Sequence, residues 1–336
     1  MNLTNTPIPT SYLPRYQAGL SLVELMISLA IGLLLLAGIT TLIVRQSGIR
    51  DELDKASREI ENGRYAMQLL REDIEHAGFY GGYSPSPASG VVAVTTDPCD
   101  LNSGSTNSGW STTPIVTVPA PIYGYAAQGT DPTSATTCGL TSYKPNTAVL
   151  VVRRTDTTTV IPASAVAGTN YLQVSRCNVL TPFVMGTSGF TLQQKDCATP
   201  ALLRKYIVRV YYVSSCDVCG TDTIPTLKVV ELMNGIKNTI PLVEGIENME
   251  FDYGIDNTGD GSPDAYTTSP AVSDWQNVMV VRVNLLARNN DITAGYQDTK
   301  TYNLGGAGTV GPLNDNYKRH AYNELVRVIN PSGRRE

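Results

Sequence analysis

The chain is predicted to be an α+β protein, one long N-terminal helix followed by a large head of antiparallel strands. Three observations predict this. The run Leu20–Val44 is apolar, with its single charge at Glu24. A helical pattern then continues, free of proline, as far as Gly78. Beyond that point the chain breaks into blocks rich in Val, Ile and Tyr, bounded by Gly, Pro, Asn and Asp. The blocks lack the regular strand–helix alternation that a parallel α/β sheet requires.

The first element is long enough to cross a membrane. At about 1.5 Å per residue, Leu20–Val44 forms a helix of about 37 Å, against a bilayer core of roughly 30 Å. A carboxylate near the centre of such a span costs on the order of 2.5–3.5 kcal/mol. Glu24 lies one turn in, nearer the headgroups, where a cationic partner can reach it. A secretory signal has a shorter apolar run, about 7–15 residues, with cleavage after it. A plain signal anchor has no use for Glu24. The positive-inside count points elsewhere. Arg15 stands alone before the span, whereas Arg45, Arg50, Lys55 and Arg58 follow it. Charge alone would therefore leave the head in the cytoplasm.

The helix is expected to run on past the apolar segment. Leu53, Ala56, Ile60, Gly63, Met67, Leu70, Ile74 and Ala77 recur at alternating steps of three and four. Asp51, Glu52, Lys55, Arg58, Glu59, Arg71 and Glu72 fall away from that stripe. Gly78 has the position of a C-cap, ahead of the turn Gly81-Gly82. One helix of about 58 residues, roughly 87 Å, is thus expected from Leu20 to Ala77. The stripe suits a coiled coil or a helix laid on a sheet, and the strand-rich chain that follows favours the sheet.

In the head, strands are expected at Ala148–Arg153, Tyr206–Val213, Thr226–Leu232, Ile246–Tyr253, Val278–Ala287 and Tyr322–Ile329. Ser84–Ala120 and Gly305–Pro312 read as loops, rich in Gly, Ser, Thr and Pro. The net charge is −5, and no run of Lys or Arg is dense enough for a nucleic-acid face. All six cysteines, Cys99, Cys138, Cys177, Cys197, Cys216 and Cys219, follow the apolar run. An even number in a Gly- and Thr-rich head reads as a disulfide set, and so as an extracytoplasmic domain. Sequence alone does not choose the connectivity; pairing of neighbours is the expectation. Cys216-Asp-Val-Cys219 sits between a strand and a Gly/Thr loop, so a loop staple is favoured over a redox motif. Zinc would need a second ligand pair at the right spacing.

Chemistry has little to work with. The two histidines, His76 and His320, lack a nucleophile or motif context, and hydrolase, phosphate-loop and dinucleotide signatures are missing. No catalytic residue and no required cofactor are assigned, and the chain reads as a non-enzyme. Trp110 and Trp275 read as core or loop anchors. One stretch, Asp256-Asn-Thr-Gly-Asp-Gly-Ser-Pro-Asp264, resembles a calcium loop. Calcium takes about six to eight oxygens, here offered by Asp256, Thr258, Asp260, the Ser262 carbonyl and Asp264, with Gly261 at the sharp turn. Thr267 stands where an EF-hand places a bidentate Glu. The competing reading is an Asp/Gly-rich turn between strands, equally consistent with these residues.

A Gly followed by an apolar residue, with Glu at the fifth position of a long apolar run, resembles the type IV prepilin signal. In that family a membrane peptidase cuts after the Gly, the new N-terminus is methylated, and the helix passes from the bilayer into a filament core. The resemblance implies cleavage between Gly19 and Leu20, N-methylation of Leu20, and pairing of Glu24 with the Leu20 amine of a neighbouring subunit. It divides the chain into a leader (1–19), a membrane and filament-core half-helix (20–44), an amphipathic half-helix (45–78) and a periplasmic head (79–336). Further on, Glu75-His-Ala-Gly-Phe-Tyr-Gly81, Met249–Gly261, Trp275–Leu286 and Tyr317-Lys-Arg-His-Ala-Tyr322 resemble PilW-type minor pilins. These start a type IV pilus and remain at its tip. The implied partners are other minor pilins, the major pilin, the prepilin peptidase, the inner-membrane assembly platform and a tip adhesin. The implied location is the inner membrane and then the pilus. A J-type pseudopilin of type II secretion, or an adhesive binding module, is the alternative. The leader is long for the family, with one basic residue, Arg15, where several are usual.

Overall fold

The structure is a computed structural model that describes residues 19, 21–85, 91–93, 97–101, 108–112, 116–177, 181–233 and 236–333. The chain divides into two compact units, Met1–Leu53 and Asp54–Glu336. One element, α1 (Leu22–His76), runs through the division. Within the first unit its apolar residues, Leu22 to Leu53, lie exposed along the helix surface. Hydroxyls in this stretch are satisfied locally: Ser28, Thr40 and Thr41 donate to the carbonyls four residues back. That is what a hydroxyl needs where water is excluded.

The strands are β1 (Val91–Ala93), β2 (Thr117–Pro119), β3 (Ile122–Gln128), β4 (Thr147–Thr155), β5 (Tyr171–Val174), β6 (Phe183–Gly186), β7 (Leu203–Ser214) and β8 (Thr226–Met233). They continue with β9 (Ile236–Glu244), β10 (Ile246–Ile255), β11 (Ala265–Thr267), β12 (Val278–Arg288), β13 (Tyr302–Asn303), β14 (Thr309–Val310) and β15 (Arg319–Arg327). The larger sheet has seven strands, with β7 hydrogen-bonded to β4, β5 and β8, and β3, β6 and β9 outside them. The second sheet runs β11-β10-β12-β15, antiparallel throughout.

Both faces of the larger sheet are buried. Leu150, Val152, Tyr211, Val213, Leu227 and Val229 face the core shared with α1 and the second sheet. The alternating Val149, Val151, Val208, Val210, Tyr212 and Val230 face a second core with Tyr80, Trp110 and Phe183. Period-two alternation puts successive side chains into two different cores, which is why these strands read as nearly unbroken apolar runs.

All six expected strands are present, with ends moved by a few residues. The last ends at Arg327 rather than Ile329, because Ile329–Ser332 turns into a short helix, α2. Nine further strands among the described residues were not expected: β1, β2, β3, β5, β6, β9, β11, β13 and β14, the last within Gly305–Pro312, expected as loop. In β3, Ile-Tyr-Gly-Tyr-Ala-Ala-Gln, Ile and two Tyr favour a strand, but Gly and two Ala dilute the signal. In β9, Pro241 is tolerated because this strand pairs with β8 alone, and Pro241 sits beside a register shift. Strands β5 and β6 have four residues each. The stretch 84–120, expected as loop, contributes β1 and β2, which pair in parallel.

The buried face of α1 also differs from the expected stripe. Gly63, Met67, Leu70, Ile74 and Ala77 are buried as expected, joined by Ala66, but Leu53 and Ile60 are exposed. Two acids, Glu59 and Asp73, are buried in their stead. Glu59 was expected to face solvent. At Gly63 the missing Cβ matters: one built there would lie 2.2 Å from the Tyr322 ring of β15, so glycine sets how closely helix and sheet approach. Gly78 ends the helix at φ +73 and donates its N–H to the Arg153 carbonyl of β4.

Candidate functional site

The N-terminus of α1 is the site that the motif singles out. Gly19 is described; Leu20 and the leader before Gly19 lie outside the described residues. Ser21 accepts the first helical bond, from the Leu25 N–H at 3.1 Å, and so occupies the N-cap. Its backbone N–H donates to Glu24 Oε2 at 3.0 Å, and the Glu24 N–H donates back to Ser21 Oγ at 3.4 Å. This reciprocal pair is a capping box, Ser-x-x-Glu, which satisfies two of the orphan donors at a helix start. The pattern Ser21-Leu-Val-Glu24 carried that signal in plain sequence, and the reading of Glu24 as an intersubunit partner passed over it. Glu24 keeps Oε1 without a hydrogen bond to another described residue, in a segment whose residues are exposed and mostly apolar.

Farther along, α1 is fastened to the larger sheet by a buried acid. Asp73 accepts from Arg154 Nε at 2.9 Å, Arg209 Nη1 at 3.0 Å and the Tyr211 hydroxyl at 2.6 Å. Burial, and then the Asp73 charge, hold the Tyr211 hydroxyl well above the usual phenol range. Glu59, one face over, has no such partner. Its Oε1 is buried without a hydrogen bond, as is the Tyr322 hydroxyl. Burial pushes the Glu59 carboxyl up to about 7, against opposing pulls from Lys318, Arg319 and Lys300. On the second sheet, Arg319 is almost wholly buried among Glu247, Asp298 (2.8 Å) and Asp315 (2.6 Å), and so ties β15 to the loops around it.

The cysteines form three disulfides, Cys99–Cys138, Cys177–Cys197 and Cys216–Cys219, the pairing of neighbours. Asp222 supports the last loop by accepting from the backbone N–H groups of Asp217, Val218 and Ile224. Trp110 packs edge-on to Tyr80, Phe183 and Tyr206 in one core, and Trp275 meets Tyr123 and Tyr253 in another. His76 Nδ1 lies 2.6 Å from the Glu72 carbonyl in the last turn of α1, and His320 stacks edge-on to Tyr322.

The calcium reading of Asp256–Asp264 is not supported, and the reason is in the hydrogen bonds. Asp256 accepts from the N–H groups of Gly259 and Gly261. Asp264 accepts from those of Asn257 and Thr258, and Asp260 from that of Ser262. Asp256 and Asp264 also accept from the Thr258 hydroxyl. The acids of Asp256, Asp260 and Asp264 thus serve the loop's own amides, as in an Asx-rich turn between β10 and β11. Among the described residues, three metal-ligating side chains converge at Asp97, Cys99 and Cys138, where both sulfurs are already joined in a disulfide.

Comparison with known families matches both ends of this architecture. Residues 14–40 match the prokaryotic N-terminal methylation motif, and residues 210–330 match type IV pilus-assembly protein W, PilW. No curated protein and no solved structure gives a match to the chain. The first match covers the capped start of the apolar helix, and the second runs from within β7 through the four-stranded sheet. Together the two matches make the chain similar to type IV pilus minor pilins, with a prepilin-type N-terminal helix at one end and a PilW-like region at the other.

Proposed function

We propose that this protein takes part in starting type IV pilus assembly and sits at or near the pilus tip. Prepilin peptidase removes 1–19, Leu20 becomes the methylated N-terminus, and the 20–44 half of the helix packs among the helices of other minor pilins and the major pilin. The head (79–336) lies in the periplasm until the subunit enters the pilus. One observation carries this reading: an apolar helix whose most hydrophobic 18-residue stretch has no buried residue, headed by the methylation motif. Such a face calls for lipid or for other helices. Three disulfides favour an oxidising compartment over the cytoplasmic placement that the positive-inside count alone would give.

Deleting the gene and measuring major pilin sheared from the cell surface tests the proposal. Loss of surface pili, restored by a plasmid copy, is the expected result. A normal pilus yield would overturn the initiation role and favour a secretion pseudopilin or a dispensable adhesive tip.

A further inference from the structure

The first turn of the head, Tyr80–Gly82, faces strands β5 and β7 across an open cleft of about 330 Å³, within the size range of small-molecule sites. Three cations line it, Arg176, Lys195 and Arg204, and no carboxylate does, in a chain whose net charge is −5. Leu172, Val174 and Leu202 supply an apolar floor and rim.

Arg204 is held in place from outside the cleft. Arg204 donates to the Asp156 carbonyl at 3.1 Å and to that of Thr157, and its guanidinium lies over the Phe79 ring at 5.3 Å. Arg176 adjoins Cys177 and Lys195 lies two residues before Cys197, so a single disulfide ties together the backbone segments that carry them. The side chains of Arg176 and Lys195 are exposed and hydrogen-bond to no other described residue. The turn is shaped to them. A Cβ on Gly81 would come within 3.0 Å of Arg204 Cδ, and one on Gly82 within 3.0 Å of the Arg176 guanidinium. Bare backbone therefore leaves room for both arginines. The cleft also falls outside both family matches, which cover 14–40 and 210–330, so it is a feature of this chain apart from the shared assembly regions.

We propose that this cleft binds an anionic ligand of small-molecule size. Its carboxylate, sulfate or phosphate group would meet Arg176, Lys195 and Arg204, and its apolar side would rest on Leu172, Val174 and Leu202. Guanidinium groups suit such anions because their paired N–H donors match two oxygens at once. Preorganisation of Arg204 by its carbonyl bonds reduces the ordering cost of binding.

The test titrates the full-length protein, in a neutral detergent, with sulfate, phosphate and glucuronate, read by calorimetry. Saturable one-site binding that weakens with added sodium chloride is expected. Tighter binding of glucuronate than of the inorganic ions would place a ligand body on the apolar floor. The double variant Arg176→Gln/Lys195→Gln should weaken binding on the order of a hundredfold, since each lost charge-assisted bond is worth roughly tenfold or more. Lys300→Gln, an exposed lysine elsewhere on the head, should bind like the wild type. Leu202→Asp gives an independent arm that leaves all three cations in place, and should abolish binding by repulsion. Near-UV circular dichroism checks that each variant is folded. Absence of saturable binding by all three anions, or equal binding by the wild type and the folded double variant (an adventitious ion only), would overturn the proposal.

Discussion

Gly63 gives the sharpest test of how α1 sits on the head, because two effects of known sign oppose each other there. Replacing it with alanine improves the helix, since glycine in a helix interior is less favourable than alanine by about 0.8–1.0 kcal/mol. The new Cβ, however, would lie 2.2, 2.5 and 2.9 Å from three atoms of the Tyr322 ring. Carbon atoms pack at about 3.5–4.0 Å, so the ring must retreat by at least about 1 Å. Overpacking of this kind costs about 1–3 kcal/mol. Gly63→Ala is therefore expected to destabilise by up to about 2 kcal/mol after the helix gain is subtracted. In a Tyr322→Ala background the obstacle is gone, and the same change should stabilise by about 1 kcal/mol. The difference between the two backgrounds corresponds to a coupling of about 1–3 kcal/mol, within what contacting residues show. Denaturant unfolding of the four detergent-solubilised proteins, followed by near-UV circular dichroism, measures it. If Gly63→Ala stabilised both backgrounds equally, the close approach of α1 to β15 would be refuted.

Three further outcomes follow from the same contacts. Folding raises the Glu59 carboxyl from 4.5 to about 7, so the native state holds its proton more tightly than the unfolded chain. The resulting stability is present below about pH 4.5 and is lost as pH rises through about 7; Glu59→Gln should flatten that part of the pH–stability profile, and an unchanged slope would refute the assignment. Asp73→Ala leaves Arg154 and Arg209 without their shared carboxylate, and should cost about 3 kcal/mol or more in denaturant unfolding; a loss below 1 kcal/mol, of the order expected for an exposed pair, would mean that the cluster does not fasten α1. Because the acids of Asp256–Asp264 serve backbone amides, the melting temperature should be the same in excess calcium and in excess chelator, and a calcium-dependent rise would restore the metal reading.

What was legible in the sequence depended on how local the signal was. The apolar run and the strands β4, β7, β10 and β12 could be read because their patterns repeat within a few residues. The buried acids could not. The partners that make Asp73 tolerable, Arg154 and Arg209, lie 81 and 136 residues away, so a periodicity argument sees only a polar residue beside the stripe. Glu59 was hidden for the same reason, since the residues that bury it and the cations that act on it lie on the head. The Asp/Gly loop had the opposite difficulty. Carboxylates spaced for calcium are also spaced to accept from turn amides, and only the hydrogen bonds separate the two.

At Glu24 an observed role and a proposed one fall on one carboxylate, and a conservative substitution separates them. In the single chain its Oε2 accepts from the Ser21 N–H and completes the helix cap. Intersubunit pairing with a Leu20 amine, as the prepilin resemblance implies, needs the negative charge and can use the remaining oxygen, Oε1. Gln serves a capping box nearly as well as Glu, but it cannot neutralise an amine within an apolar filament core. Glu24→Gln should therefore be cleaved by the peptidase and remain helical, yet enter filaments poorly, like Glu24→Val. Ser21→Ala makes the converse change: it removes the hydroxyl half of the cap, worth about 1 kcal/mol, and keeps the charge, so incorporation should persist. Immunoblots of sheared filaments and membrane fractions measure both. Full incorporation of Glu24→Gln, with loss for Ser21→Ala, would show that the carboxylate acts within its own helix and would remove the intersubunit pairing from the proposed assembly step.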